Sequence, residues 1–244
     1  MRIPRIYLPA TLHGHSIITL DAKAAGHVVR VLRLRTGAAL RIFNGQGDEY
    51  AAHVESIARD AVCVQLGEML PRDVESPLRI HLAQGISRAE RMDYVMQKAV
   101  ELGVVEITPL ETSRCVVRLD ATRAAKRTEH WQGVIVSACE QSGRARLPVL
   151  HPNAPLGAWL ARRSGEQRLV LHPDAPHVLR SLPAPTGSIG LVIGPEGGLS
   201  DDELEQAIAA GCKPVRLGPR ILRTETAALA ALCALQTLWG DLGG

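Results

Sequence analysis

The spacing of apolar and polar positions divides the chain into two parts with different rhythms. In the first, the apolar runs are strand-length and separated by polar turns: Arg5 to Leu8, Ala39 to Phe43, Tyr50 to Ile57 and Ala61 to Leu66. Asn44-Gly-Gln-Gly47 breaks two of these runs as a turn, and one segment from about Asp21 to Leu34 repeats at helical spacing. The pattern predicts a small, mostly β module. The segment from Met69 to Pro77 is polar and holds two prolines, so the domain boundary is placed there, giving 1–72 and 73–244.

From Leu78 onward the rhythm alternates between strand and helix. Arg79 to Gln84 predicts a strand, and Ser87-Arg-Ala-Glu90 has the spacing of a capping box. Met92, Val95, Met96, Ala99 and Val100 then recur at helical spacing, with Gly103 as a candidate C-cap and Val104 to Thr108 as the next strand. A long helix is predicted from near Ala121 to Glu140, and further strands at Arg168 to His172, Ile189 to Ile193 and Pro214 to Leu217. Such alternation predicts an α/β domain, a mainly parallel sheet with helices on both faces.

Composition narrows the function classes. Aromatic residues make up 3% of the 244 residues, which argues against binding nucleic acid by stacking many bases. The net charge is only +3, but it is unevenly spread. Through residue 45 the chain carries Arg2, Arg5, Lys23, Arg30, Arg33, Arg35 and Arg41 against Asp21 alone, a segment suited to a polyanion. Cys63, Cys115, Cys139, Cys212 and Cys233 are odd in number and far apart, which predicts reduced thiols. The nine histidines show no local ligand spacing, so no metal is expected. No apolar run reaches the length of a membrane span, and the amino terminus lacks a secretory signal, so a cytoplasmic protein is expected.

The candidate chemistry lies in two loops. Val192-Ile-Gly-Pro-Glu-Gly-Gly-Leu-Ser-Asp-Asp-Glu203 and Leu217-Gly-Pro-Arg-Ile-Leu-Arg-Thr-Glu225 each place glycine and proline after a strand and before a helix. Ser200 and Glu203 have capping-box spacing. The first loop has neither the P-loop nor the dinucleotide pattern, and its Glu196 with Asp201, Asp202 and Glu205 would repel phosphates, so a neutral or cationic cofactor is expected there. Ile221 and Leu222 sit inside an otherwise polar turn, where they would pack on a flat ring. Arg220 and Arg223 are candidates to meet a nucleic-acid phosphate or a base, and Thr224 to cap the following helix.

These two loops, with Glu140-Gln-Ser-Gly-Arg144 and the opening Arg2-Ile-Pro-Arg-Ile-Tyr7, resemble the RsmE family of ribosomal RNA uridine N3-methyltransferases, within the SPOUT superfamily. The resemblance covers essentially the whole chain. It implies an amino-terminal PUA-like β-barrel that helps hold RNA and a carboxy-terminal α/β domain tied in a trefoil knot. It also implies S-adenosylmethionine in a pocket built from Leu171 and His172, from Gly194, Pro195, Glu196 and Gly198, and from Leu217, Gly218, Ile221 and Leu222. It further implies a homodimer, with the final helix from Thr226 to Leu238 supplying part of its face or serving simply as a core helix.

Methylation at N3 of uridine requires removal of a weakly acidic proton, by a base or by a positive group that stabilises the anion. Glu140 and Glu225 are the carboxylate candidates, Arg144 and Arg223 the anion-stabilising ones, and a structural ion pair is the alternative for each carboxylate. Gln141 and Ser142 are candidates to contact the base edge or a local turn, while Arg5, Arg30 and Arg33 would position RNA through its phosphates, together with Arg220. The expected partner is ribosomal RNA within a small ribosomal subunit. The alternatives are a methyltransferase for another RNA position, a catalytically silent RNA-binding or assembly factor, and a nucleotide-dependent enzyme on a similar sheet.

Overall fold

The computed structural model describes residues 3–59, 61–71, 74–115, 121–162 and 167–243. The chain forms two compact units, residues 1–75 with 136–147, and residues 76–135 with 148–244. Arg2 and the expected boundary residues Arg72 and Asp73 lie outside the described residues.

The first unit is built on strands β1 (Arg5–Tyr7), β2 (Ile17–Thr19), β3 (Ala39–Phe43), β4 (Glu49–Ile57) and β5 (Val62–Met69), in the order β1-β3-β4-β5-β2. Val62, Val64 and Leu66 of β5 point inward at every second position, as a half-buried strand requires. They meet Ile6, Leu40, Ile42 and Val54 in one core, and each such fully buried side chain contributes about 1.5 to 3 kcal/mol. The Asn44 turn forms as expected, its side-chain oxygen accepting the amides of Gln46 and Asp48 at 2.8 and 3.2 Å. The helix expected from Asp21 to Leu34 is shorter. Asp21 caps α1 (Ala22–Gly26) by accepting the Ala24 amide, and a π-helical turn follows over His27–Val31. The β-branched Val28, Val29 and Val31 weaken regular helix there, and Arg33, at φ 53°, lies outside the right-handed helical region.

The second unit carries a sheet in which every pairing is parallel among the described residues. Its strands are β6 (Ile80–Gly85), β7 (Glu106–Glu111), β8 (Val149–Leu150), β9 (Ala154–Pro155), β10 (Gln167–Leu171), β11 (His177–Val178), β12 (Ile189–Ile193) and β13 (Lys213–Arg216). They run in the order β11-β13-β10-β12-β6-β7-β8, with β9 beside β7. The central strands β6 and β12 are buried throughout, as expected of a parallel sheet covered on both faces.

The helices are α2 (Ala89–Glu101), α3 (Ala121–Ser142), α4 (Leu156–Arg162), α5 (Asp201–Ala209) and α6 (Thr224–Trp239). In α3, residues up to 135 belong to this unit, and its last residues to the first. In α6, Ala228, Ala231, Leu232 and Leu235 are fully buried at helical spacing, so this stripe belongs to the chain's own core. The capping box at Ser200 and Glu203 is present. The one expected at Ser87 and Glu90 is not: Arg88 is the N-cap of α2, and the buried Ser87 hydroxyl instead donates to the Gly85 carbonyl at 3.2 Å. All five cysteines are free, and burial pushes the Cys139 thiol up to about 12 and that of Cys212 to about 11.

Candidate active site

Three neighbouring strands end at one place. β10 lies between β13 and β12, and the chain leaving β12 returns on the far side of β10 to enter β13. A crevice opens beyond the carboxyl ends of parallel strands where the order switches in this way. Leu171 and His172 at the end of β10, Gly194 to Gly198 after β12, and Leu217, Gly218, Ile221 and Leu222 after β13 line a single cavity of about 450 Å3.

The first loop is held from several sides. A Cβ on Gly194 would stand 2.8 Å from the backbone of Gly198 and Leu199, so the loop closes on itself only with glycine there. Gly198 adopts φ +70°, which again favours glycine, and its amide donates to the Pro195 carbonyl at 2.9 Å. The Gly194 carbonyl accepts the Thr224 hydroxyl at 2.6 Å, and that hydroxyl oxygen accepts Gln84 Nε2 at 2.9 Å. Thr224 therefore does not cap α6; it joins β6, the first loop and the start of α6. Arg114 donates to the carbonyls of Gly197 and Leu199 at 3.3 and 3.0 Å. Glu203 accepts both the amide and the hydroxyl of Ser113, in addition to closing its capping box.

Glu196 has two tasks. Its Oε1 accepts the Arg88 amide at 3.0 Å, which satisfies the start of α2 in place of the expected serine cap, and lies 3.3 Å from Arg91. Burial works against the Glu196 carboxylate, but the amides of Arg88 and of Glu196 itself, with the charge of Arg91, outweigh it and hold the carboxyl below its ordinary value. Arg91 also lies 3.8 Å from Glu225 Oε1. The Oε2 atoms of both glutamates are buried, with no hydrogen-bond partner among the described residues.

The second loop is open. Gly218 sits at φ +140°, and Ile221 is 87% exposed where it borders the cavity. Arg220 and Arg223 line the same side. The charge differs from the expectation. Asp201, Asp202 and Glu205 are exposed on α5 and are not part of the lining, whereas Arg91, Arg114, Arg216, Arg220 and Arg223 are. Arg216 is engaged with the Ala175 carbonyl at 2.9 Å. The rim is therefore cationic, with a paired carboxylate inside it.

Comparison with known proteins assigns this architecture. Residues 74–236 match the model of an RNA methyltransferase domain, and residues 20–67 that of an RNA methyltransferase PUA domain. The ribosomal RNA small subunit methyltransferase E of Buchnera aphidicola is 37% identical, the match covering 99% of this chain and 98% of that one. The chain belongs to the ribosomal RNA small subunit methyltransferase E family. Among solved structures, the family member from Neisseria gonorrhoeae bound to S-adenosyl methionine is 40% identical with a TM-score of 0.93, covering 98% of this chain and 99% of that one. A Legionella pneumophila protein in complex with the bound cofactor SAM is 42% identical with a TM-score of 0.96, over 99% and 100%.

Within this family framework the structure brings the ten cofactor-pocket candidates together with Arg220 and Arg223, and Glu225 reaches them through Arg91. The remaining candidates lie in the first unit. Arg5 is 6% exposed and fully engaged. It pairs with both oxygens of Glu49 at 2.9 and 3.1 Å, donates to the carbonyls of Cys139, Arg144 and, at 3.5 Å, Glu140, and stacks 4.5 Å from the Phe43 ring. A guanidinium so occupied has no donor left for a phosphate, which corrects its expected RNA contact. Arg144, 3% exposed, is held by Glu75, with Nε 2.9 Å from Oε2, and is likewise a buried structural pair rather than a group open to substrate. Glu140 accepts the Tyr7 amide at 3.1 Å, and burial raises its carboxyl above the ordinary value against that amide and the charges of Arg5 and Lys23. The Ser142 hydroxyl is buried, with no hydrogen-bond partner among the described residues. Arg30 and Arg33 are exposed, as a phosphate contact requires.

Sequence reasoning missed Arg91 and Arg114. Arg91 stands in the first turn of α2, and Arg114 follows β7. Neither belongs to a local motif, and only the parallel order of β12, β6 and β7 brings them to the first loop.

Proposed function

We propose that this chain transfers the methyl group of S-adenosylmethionine to N3 of a uridine in small-subunit ribosomal RNA, as a homodimer whose second unit is knotted through these loops. The observation that carries the reading is the single cavity walled by both glycine-proline loops at the ends of β10, β12 and β13. Its size suits a ligand of the adenosyl class. Ile193, Val215, Leu217, Ile221 and Leu222 offer apolar walls for a flat ring, and Glu196, which lines the cavity and whose Oε2 has no partner among the described residues, offers an acceptor to an ammonium or hydroxyl. The residues present thus fit the cofactor. When bound, it supplies an activated methyl group on a sulfonium.

The chain's own residues then have distinct tasks. Gly194 to Gly198 form a fixed wall, and Ile221 and Leu222 exclude water from one side. Arg223, exposed at the rim, stabilises the uridine anion as the N3 proton leaves, and Arg220 meets a neighbouring phosphate. Glu225, 3.8 Å from Arg91, orients that guanidinium. Methyl transfer would break the sulfonium–methyl bond as the N3–carbon bond forms, with the N3 proton passing to solvent water and S-adenosylhomocysteine left as the second product. Arg30 and Arg33 of the amino-terminal unit hold the RNA by its backbone without choosing the base.

The test is methylation of small ribosomal subunits lacking the modification, with the product nucleoside identified by mass spectrometry. 3-Methyluridine supports the proposal, while a methylated ribose or no transfer contradicts it.

A further inference from the structure

At the opposite end of the parallel sheet from the cavity, three side chains with metal-ligating atoms converge. His81 is the second residue of β6 and Glu106 the first of β7, and the two are direct neighbours in the strand register. His151 follows β8, where its amide donates to the Ile107 carbonyl at 2.9 Å and fixes its position beside β7. His81 and His151 both direct Nε2 to the same atom, Oε2 of Glu106, with His151 at 2.6 Å. All three ligating atoms lie within 4.8 Å of one another, and the imidazole rings are 5.8 Å apart.

We propose that His81, Glu106 and His151 form a binding site for one divalent transition-metal ion of the zinc class. Two imidazoles and one carboxylate are a donor set suited to such an ion, with a fourth position left for water. A tetrahedral ion with bonds of about 2.0 to 2.2 Å sets its ligand atoms roughly 3.3 Å apart, so both imidazole nitrogens must draw back from the Glu106 oxygen by up to about an ångström to admit it. The three side chains are 2, 22 and 33% exposed in order, which buries one face of the site and leaves the other open for entry. Two ligands stand on strands and the third is fixed to one, which limits the rearrangement that binding requires. The ion would clamp β6, β7 and the segment after β8 together. The proposal departs from the sequence expectation of no metal, because the three residues are 25 and 45 residues apart and meet only through strand order.

The experiment uses the full chain, free of any histidine tag and stripped by chelator, titrated with cobalt(II) alone and then with zinc(II). The expected result is one cobalt per chain with a visible d–d band of tetrahedral intensity that zinc abolishes. His151→Ala and Glu106→Gln should remove the band and weaken binding at least tenfold with unchanged far-UV circular dichroism, while His13→Ala, an exposed histidine, leaves both intact. If either variant fails to fold, the other decides. Wild-type protein that retains no metal at equimolar concentration, or a band that persists in a folded His151→Ala or Glu106→Gln chain, overturns the assignment.

Discussion

Gly194 to Leu199 and Leu217 to Arg223 both leave a parallel strand and both lead into a helix, yet they are held differently. The first loop is tied by Arg88 and Arg91 to the start of α2, by Arg114 to the segment after β7, and by Thr224 to the start of α6. The second leaves Ile221 87% exposed at the cavity mouth. A wall fixed before the ligand arrives spares the entropy of ordering it on binding, and an exposed apolar side chain gains free energy only when a ligand covers it. The difference suggests a division of labour in which the first loop supplies shape and the second supplies closure.

The sharpest way to break the comparison is Gly194→Val. The added side chain meets the backbone of Gly198 and Leu199, which cannot yield as a flexible side chain would. Overpacking of this kind costs about 1 to 3 kcal/mol. S-adenosylmethionine should then give no saturable rise in melting temperature, and an unaltered rise would show that the first loop is not the wall.

Thr224→Val keeps the shape but leaves the Gly194 carbonyl and Gln84 without their shared hydroxyl. The expected loss is about 1 to 3 kcal/mol, or a fall in melting temperature of roughly 2 to 4 °C per kcal/mol for a chain of this size, read by thermal unfolding.

A pH series addresses the ties made by charge. Glu196 and Glu203 both titrate below the ordinary carboxylate value in the folded chain, with burial opposed and outweighed by hydrogen bonds. A depressed carboxyl contributes stability that is present above its unfolded value and lost as the pH falls through the folded one. Stability should therefore decline from the ordinary carboxylate range downward, and Glu196→Gln should flatten that decline. Glu140, raised by burial, acts with the opposite sign.

The smallest effect belongs to the open loop. Ile221→Ala should alter stability by no more than about 0.5 kcal/mol while weakening S-adenosylmethionine several-fold in calorimetric titration. A marked fall in melting temperature without cofactor would show that Ile221 is part of the core.

Much of this was legible in the chain itself, for a physical reason. The glycines, prolines and capping residues of the two loops act on their own backbone, so Ser200 and Glu203 could be read locally, and β12 was predicted at Ile189 to Ile193 with the bounds it has. Partners distant in sequence could not. Ser87 and Glu90 have capping-box spacing, but Glu196, 108 residues away from Arg88, takes the place of that cap. Arg5 reads as a surface cation until Glu49 and Phe43 are folded around it. Arg91, Arg114 and the clustered His81, Glu106 and His151 were invisible for the same reason, since strand order places them.

The most direct measurement is isothermal titration of the wild-type chain with S-adenosylmethionine and S-adenosylhomocysteine, with ATP and NAD as controls. One saturable site per chain for the first two alone is the result expected of a cavity walled by both loops. No heat of binding at millimolar cofactor, or equal binding of ATP, would contradict it.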